Sequence, residues 1–193
     1  MKLSKRQKEI VEASLEIIGE GGIQALTIKN ISKKVGISEP AIYRHFESKT
    51  QILLAILDFF IVNNKKIIQQ DADKNKSIKD TINTLFENFI ATFIQHPYLI
   101  SVIFSEEIFR NDIVFKEKTA KIINENYNLI RELIEKGQKN NELRADIDSG
   151  ATATIIMGSL RLCVKRWQMS DYNFDLKNEG NKLKNTILKI LLK

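Results

Sequence analysis

The sequence predicts an all-α protein of about nine helices, and three observations support that prediction. Leu, Ile, Lys, Glu, Asn and Ala dominate the composition, which favours long helices over many short strands. Apolar residues recur at intervals of three and four, whereas no alternation of apolar and polar residues persists as it would in strands. Only two prolines and eight glycines interrupt these patterns, so few breaks are expected within the helices.

Length and composition limit the classes of protein to which the chain can belong. Its 193 residues, 43% of them hydrophobic, suffice for one large domain or for a small domain packed on a larger one, with a sizeable core. The single cysteine, Cys163, excludes an internal disulfide and fits a reducing compartment. No apolar run reaches the roughly 18 residues of a membrane span, and the basic N-terminus lacks the apolar segment of a signal peptide. We therefore expect a cytoplasmic protein with no membrane partner.

Positive charge is concentrated near the N-terminus of a chain whose net charge is +6. Residues 1–66 carry 11 Lys and Arg against 7 Asp and Glu, whereas the remaining residues carry 19 against 17. A basic N-terminal segment indicates a nucleic-acid partner. A solvated protein surface explains an excess of this size equally well.

Capping signals divide the N-terminal third into four helices. Ser4 and Gln7 form a capping box that opens a first helix over Lys5–Gly19. A second helix, Thr27–Val35, begins at a good N-cap residue and ends before Gly36, which supplies a left-handed turn.

The next two helices also begin at serines. A short third helix follows Ser38, which caps it, and Pro40 lies in its first turn, where a missing N–H costs little. Ser48 and Gln51 form a second S-x-x-Q box, which opens a fourth helix over residues 49–66.

The rest of the chain predicts a larger helical domain. Residues 71–76 are a polar connector and the best candidate for a functional boundary. Helical patterns then cover residues 78–95, 97–105, 111–139, 148–169 and 174–192. We assign residues 1–48 to one domain and residues 49–193 to another, with the helix 49–66 connecting the two.

Residues 27–49 are the candidate functional segment, because a helix, a glycine turn and a short helix follow one another there. Such a pair holds its second helix at a steep angle that suits the major groove of DNA. Lys and Arg neutralise phosphates, Tyr, Ser and His donate hydrogen bonds to them, and helix N-termini suit the same anions. The inward positions are Ile31, Val35, Ile37, Ile42 and Phe46. The outward positions are Lys29, Ser38, Glu39, Ala41, Tyr43, Arg44, His45 and Lys49.

This stretch resembles the DNA-binding signature of the tetracycline-repressor (TetR) family. The resemblance rests on Thr27, Gly36-Ile37-Ser38, Tyr43-Arg44-His45-Phe46 and Lys49, with a matching turn at Gly21-Gly22-Ile23 and lead-in at Ala25-Leu26-Thr27. It covers about residues 5–60 in detail, and beyond them only the length and the helix layout agree. The resemblance implies an N-terminal DNA-binding domain fused to a helical domain that dimerises and senses a ligand.

The resemblance also implies roles for individual residues. Four match positions that usually grip phosphate, namely Thr27, Tyr43, His45 and Lys49. Five match positions that approach bases or the nearby backbone, namely Lys29, Glu39, Pro40, Ala41 and Arg44. Ala41 lacks the hydroxyl of the Thr that often stands at this position, so the operator sequence does not follow. Glu39 serves equally well to complement the helix dipole, and Arg44 and His45 as solvated surface residues.

The last two helices are implied to pack against those of a second copy, because an operator with two half-sites requires a dimer. In the helix 148–169 the candidate contacts are Ala151, Ile155, Gly158, Leu162 and Trp167. In the helix 174–192 they are Leu183, Ile187, Ile190 and Leu191. The alternative is that both stripes belong only to the core of one chain.

A ligand pocket in proteins of this kind lies within the middle helices. The candidate lining residues are Phe60, Phe86, Phe89, Phe93, Phe104, Phe109, Tyr127 and Met157. Ten phenylalanines against one tryptophan favour an apolar pocket and hence a small hydrophobic or amphipathic effector. An ordinary place in the core is the alternative for each residue, while Arg161 or Arg166 is available to an acidic ligand group.

The expected function is that of a repressor that a small molecule releases from operator DNA, with the helix 49–66 as the lever. The only histidines are His45 and His96, and no cluster has metal-ligand spacing, so neither a metal nor a cofactor is expected. No catalytic triad, phosphate loop or G-x-G-x-x-G motif is present, which argues against an enzyme. Two alternatives stay open: a nucleoid protein that binds DNA without sensing a ligand, and a helical enzyme with a vestigial helix-turn-helix.

Overall fold

The computed structural model of the chain describes residues 3–58, 76–105 and 112–192. These ranges contain nine α-helices, a short 3-10 turn at Ile23–Ala25 and no β-strand, which confirms the predicted all-α class. The helices are α1 (Lys5–Gly21), α2 (Ile28–Val35), α3 (Glu39–Tyr43), α4 (described over 49–58), α5 (Ile78–Gln95), α6 (Leu99–Ile103), α7 (Ile113–Lys139), α8 (Ser149–Met169) and α9 (Leu176–Leu191).

Most helix boundaries lie within two residues of those predicted. α1 is longer than expected, because Gly19 stays helical and the chain turns only at Gly22, whose φ is 71°. The end of the predicted helix 49–66 and most of the predicted connector 71–76 lie outside the described residues.

The chain divides into two compact units. Unit 1 consists of residues 1–61 and 96–120, and unit 2 consists of residues 62–95 and 121–193. Helices α1 to α4 and α6 belong to unit 1, α5, α8 and α9 belong to unit 2, and α7 contributes residues to both. The unit that contains the glycine-turn helix pair therefore includes a segment from much later in the sequence.

An apolar core beneath the first three helices holds unit 1 together. Ile10, Ile31 and Ile42, one from each helix, are fully buried, and α2 packs against both α1 and α3. Burying an isoleucine side chain contributes about 1.5–3 kcal/mol, whereas a helix as short as α3 has almost no stability of its own. Packing therefore determines where α3 lies.

Most of the predicted capping signals form their hydrogen bonds. The second S-x-x-Q box forms only in part: the Gln51 N–H donates to the Ser48 Oγ at 3.2 Å, but the Gln51 Oε1 accepts from the N–H of Glu47 at 2.9 Å. Both halves of the box between Ser4 and Gln7 form, with N···O distances of 3.0 and 3.2 Å. Ser38 occupies the N-cap position of α3, as predicted, but its side chain forms no capping hydrogen bond. The physical reason is local. Pro40 has no N–H to offer, and the N–H of Ala41 donates to the Ser38 carbonyl at 2.9 Å.

The ring of Tyr98, just before α6, packs directly on Gly19 in α1. A Cβ built on Gly19 would lie 2.0 Å from one carbon of that ring. Only a residue without a side chain allows this close approach, so the contact explains a glycine in the middle of a helical turn.

Two polar contacts join α4 to the start of α7 within unit 1. The hydroxyl of Thr50 donates to the carboxylate of Asp112. Two turns further along α4, Asp58 pairs with Lys118, whose Nζ lies 2.6 Å from the carboxylate. The two partners, Asp112 just before α7 and Lys118 within it, are each about 60 residues of sequence away from their contacts on α4, so these contacts depend on the tertiary fold.

Unit 2 is built around the close packing of α5 and α9. A Cβ on Gly180 would lie 2.7 Å from Ile90, so the two backbones approach closely there. Lys184 is buried on α9 and pairs with Glu87 of α5 at 2.9 Å. Cys163 is buried on α8, and burial raises the pKa of its thiol.

Gly19→Ala should lower the free energy of unfolding by about 1–3 kcal/mol, because the added methyl group overlaps the base of the Tyr98 ring. Helix propensity alone predicts a gain of about 1 kcal/mol, so the two explanations differ in sign. Urea denaturation followed by circular dichroism measures the difference. The same substitution should be neutral or stabilising in a Tyr98→Ala background, and a more stable Gly19→Ala single variant would contradict the ring contact.

Candidate nucleic-acid interface

α2, the glycine turn and α3 provide a packed base for the candidate interface. Of the five residues predicted to point inward, three are buried, namely Ile31, Ile42 and Phe46, and two are half-buried, namely Val35 and Ile37. Gly36 has a left-handed φ of 74°, and the N–H groups of Gly36 and Ile37 donate to the Ser32 carbonyl at 2.9 and 3.1 Å. This arrangement is typical of a helix that ends at a glycine, and it fixes the direction in which the chain enters α3.

The ten candidate DNA-binding residues all lie in unit 1. Seven are exposed, namely Thr27, Lys29, Ser38, Glu39, Pro40, Tyr43 and Arg44. Three are half-buried, namely Ala41, His45 and Lys49. Their assignment as DNA contacts stays a prediction that is consistent with this exposure.

Tyr43 illustrates how the core directs the outer face. Its neighbour Ile42 is fully buried, whereas Tyr43 is 51% exposed. Consecutive residues of a helix point about 100° apart, so anchoring Ile42 in the core turns Tyr43 toward solvent. The phenol O–H is thereby available to donate to a phosphate oxygen.

His45 is held in place by a residue that was predicted only as part of a helix cap. The Nε2–H of Gln7 donates to the His45 carbonyl at 3.2 Å, while the Oε1 of Gln7 accepts from the Ser4 N–H at 3.0 Å. Gln7 therefore caps α1 and also fixes the chain just after α3. The two residues are 38 positions apart, so no local signal in the sequence reveals this second role.

Thr27 and Lys49 already take part in hydrogen bonds. The Oγ1 of Thr27 accepts from the Asn30 N–H at 3.1 Å, which caps α2 and leaves its own O–H to donate. The Nζ of Lys49 donates to the carbonyl of Ile23 at 3.4 Å, a long hydrogen bond. This contact holds the ammonium beside the turn that leads into α2, and the ammonium retains two further N–H donors.

Lys34 lies on α2, but two carboxylates of the same unit balance its charge. Its Nζ lies 2.9 Å from the carboxylate of Glu16 and 3.1 Å from that of Glu20, both on α1. The hydrogen bonds to Glu16 and then to Glu20 raise the pKa of Lys34. This lysine therefore stays charged, but it serves the packing of α1 on α2 and not the candidate interface.

The candidate pocket residues occupy several environments. Phe86 and Phe93 are buried in unit 2, and Phe93 packs at a tilt on Phe89, with ring centroids 4.8 Å apart. Phe89, Tyr127 and Met157 are half-buried in the same unit, Phe104 is half-buried in unit 1, and Phe60 and Phe109 lie outside the described residues. Their common role in a pocket stays a prediction.

α8 exposes most of the residues that were assigned to a dimer contact. Ile155 and Leu162 are each 60% exposed, and Ala151 and Gly158 on the same stripe are exposed as well. Trp167 is different. It is 8% exposed and donates its Nε1–H to the Phe174 carbonyl at 3.0 Å, so it belongs to the core of this chain and its assignment to the outer stripe is wrong.

α9 divides between core and surface in a similar way. Ile187 and Leu191 are buried, at 4% and 1% exposure, so they too are core residues of the single chain. Ile190 is 51% exposed, and Leu183 is half-buried. Helical spacing identified an apolar face on each helix, but it did not distinguish the part of that face that the same chain covers.

Membrane-spanning helices and metal clusters are two other classes of site that concern the described ranges, 3–58, 76–105 and 112–192. Over those ranges, none of the helices has the combination of length and apolar character that a bilayer crossing requires. The same ranges hold no group of three or more His, Cys, Asp or Glu side chains placed to share a metal ion.

Two family profiles match the chain. The profile described as "Bacterial regulatory proteins, tetR family" matches residues 10–56. The profile described as "YsiA-like protein, C-terminal region" matches residues 57–192, which is well over half of the chain.

Two curated relatives align with most of the chain. The fatty acid metabolism regulator protein of Bacillus subtilis (strain 168) is 20% identical over 190 residues, which cover 97% of this chain and 95% of the relative. The nucleoid occlusion factor SlmA of Vibrio cholerae is 20% identical over 170 residues, which cover 88% of this chain and 87% of the relative.

A solved structure shares the fold. The transcriptional regulator FadR from Bacillus subtilis in complex with stearoyl-CoA matches with a TM-score of 0.81 at 18% identity, over 95% of this chain and 98% of that chain. Together with the glycine-turn helix pair and the two profile matches, this likeness identifies the protein: the chain belongs to the TetR family of bacterial DNA-binding transcriptional regulators.

Proposed function

We propose that the chain is a homodimeric repressor that binds operator DNA and leaves it when a small hydrophobic or amphipathic effector binds. The observation that carries the proposal is the outer face of α3, where Tyr43 is 51% exposed beside a fully buried Ile42. Because the polar residues stand on a packed base, DNA binding requires little additional ordering of the chain.

The proposed DNA contacts fall into two groups. Phosphates are contacted by Thr27, Tyr43, His45 and Lys49, which supply hydroxyl, imidazole and ammonium donors. The Ser38 hydroxyl adds a further donor to phosphate. Bases or the nearby backbone are approached by Lys29, Glu39, Pro40, Ala41 and Arg44. In this arrangement α3 enters the major groove, and the N-termini of α2 and α4 face the flanking phosphates.

The proposed dimer contact is the exposed row of α8 together with Ile190 of α9. Among the described residues, a Cβ on Gly158 would meet no atom within 4 Å outside its own stretch of helix, so the packing observed there does not require a glycine. Close approach of a helix from a second copy supplies a reason for it. In this proposal residues 1–48 form the DNA-binding domain, to which Lys49 at the start of α4 adds a phosphate contact, and residues 49–193 form the domain that dimerises and binds the effector.

Long-chain acyl thioesters are the proposed effector class. The support comes from the Bacillus subtilis relatives, one named as a regulator of fatty acid metabolism and one solved with stearoyl-CoA. Within unit 2, the half-buried Phe89, Tyr127 and Met157 are the residues proposed to contact the apolar chain.

A nucleoid protein without a ligand response is the second candidate. It is favoured by the likeness to a nucleoid occlusion factor over 88% of this chain. Such a protein would bind through the same interface but at many chromosomal sites, and its DNA affinity would not depend on a small molecule.

Tyr43→Ala and Lys49→Ala should each weaken binding to every duplex, because each removes a contact to phosphate and not to a base. The slope of log K against log salt should become shallower by about one in each variant. Fluorescence anisotropy at several salt concentrations measures both quantities on a duplex that the wild-type protein selects from a random library.

Lys34→Ala is the matched control for this experiment. It removes a positive charge from the same unit, but that charge is paired with Glu16 and Glu20. The salt dependence of DNA binding should therefore stay unchanged in Lys34→Ala. Wild-type affinity in both Tyr43→Ala and Lys49→Ala would contradict the proposed docking.

Leu162→Lys should convert the dimer to a monomer, because it places a charge in the centre of the proposed apolar contact. Light scattering measures the mass. Ile123→Lys is the control, since Ile123 is 47% exposed on α7 and outside the proposed contact. A Leu162→Lys variant that stays dimeric would exclude the α8 row as the interface.

Stearoyl-CoA should release the selected duplex, whereas coenzyme A alone should not, because only the thioester carries an apolar chain for the pocket. Anisotropy titrations with both compounds test this. Release of the duplex by stearoyl-CoA but not by coenzyme A would support the proposed repressor function. Binding to many unrelated duplexes without any response to acyl thioesters of any length would favour the nucleoid protein instead.

A further inference from the structure

The first turn of α4 is held from two sides by consecutive residues. The Nζ of Lys49 donates to the Ile23 carbonyl, on the side of α2, while the hydroxyl of Thr50 donates to the carboxylate of Asp112. Because neighbouring side chains point about 100° apart on a helix, the anchor at Thr50 sets the rotation of α4 about its axis. That rotation determines where the ammonium of Lys49 points.

Asp112 is itself fixed, which makes it an effective anchor. Its Oδ1 accepts from the N–H of Phe115 at 3.0 Å in the first turn of α7, and its Oδ2 accepts from Thr50. Burial raises the pKa of the Asp112 carboxyl, but the hydrogen bonds from Thr50 and from the amides of Phe115 and Val114 outweigh it and lower the pKa below its usual value. At neutral pH Asp112 is therefore a charged acceptor, which binds a hydroxyl more strongly than a neutral group does.

A second tie lies further along the same two helices. Asp58 is eight residues after Thr50, about 12 Å along the axis of α4, and it pairs with Lys118 of α7 at 2.6 Å. One tie alone would leave α4 free to pivot about a single point. Two ties at this separation also restrict its tilt against α7.

We propose that Asp112 is a positioning residue for DNA binding: through Thr50 it orients the first turn of α4 so that Lys49 reaches a phosphate. The proposal rests on the proposed function, because it assigns Lys49 to that contact. A purely structural role for Asp112 would lower DNA affinity independently of Lys49. A positioning role predicts that replacing Thr50 lowers the affinity only because Lys49 loses its phosphate contact. In this proposal the start of α7, which packs in unit 1, also contributes to the DNA binding of that unit.

Thr50→Val is the direct test, because it removes the donated hydrogen bond, keeps the shape of the side chain and leaves the Asp112–Phe115 contact intact. A 30-base-pair duplex of arbitrary sequence at low salt serves as the probe, since phosphate contacts need no operator. We expect Thr50→Val to lower the affinity about fivefold and the salt slope by about one. Thr50→Ser, which retains the hydroxyl, should keep the wild-type affinity and salt slope. Asp112→Asn should give an affinity and a slope between those of Thr50→Ser and Thr50→Val.

A double-mutant comparison separates positioning from general destabilisation. Lys49→Ala should weaken binding about fivefold in the wild-type background, but less than twofold in the Thr50→Val background. Asp80→Asn is the matched control, because it weakens a carboxylate–hydroxyl bond of 2.7 Å with Ser77 in unit 2, and it should leave affinity and slope unchanged.

The outcomes distinguish failure of the proposed function from failure of the positioning role. Failure of the wild-type protein to bind the duplex would overturn the proposed function. Wild-type binding together with an equal cost of Lys49→Ala in both backgrounds would overturn the positioning role and leave the proposed function intact. A Thr50→Val variant with wild-type affinity and slope would do the same.

Discussion

Burial of a few isoleucines beneath α2 and α3 is the constraint on which the candidate interface depends. α3 has five residues, too few to be stable as an isolated helix, so it exists because Ile42 is anchored in the core of unit 1. The outward direction of Tyr43 and the exposure of its neighbours follow from that anchor. The buried isoleucines supply most of the stability of this face, so an exposed residue such as Tyr43 can be exchanged at little cost in the free energy of unfolding.

Local signals were sufficient to predict the helices of this unit. The Ser4–Gln7 box and Gly36 act over at most four residues, and their hydrogen bonds form as predicted. Ser38 departs from the pattern because a second local rule, the missing N–H of Pro40, overrides the first. The bonds from Gln7 to His45 and from Thr50 to Asp112 join residues 38 and 62 positions apart, and no periodicity within one sequence encodes them.

Helical spacing was less informative in unit 2. It placed Ile155, Leu162 and Trp167 on one stripe, yet the first two are exposed and the third is buried. Periodicity shows that one face of a helix is apolar. How much of that face is buried within the same chain depends on how the neighbouring helices pack. An apolar face favours burial whether its own chain or a partner covers it. The spacing of apolar residues in the sequence is therefore the same in both cases.

The buried thiol of Cys163 gives unit 2 an internal reporter. Burial raises the pKa of this thiol, so at neutral pH little of it is the reactive thiolate. Alkylating reagents reach it chiefly when α8 separates from its neighbours, and the rate of modification then measures how often that opening occurs. A molecule that binds and tightens unit 2 slows the reaction even if it changes no helix position, which makes the only cysteine of the chain a probe of its internal motion.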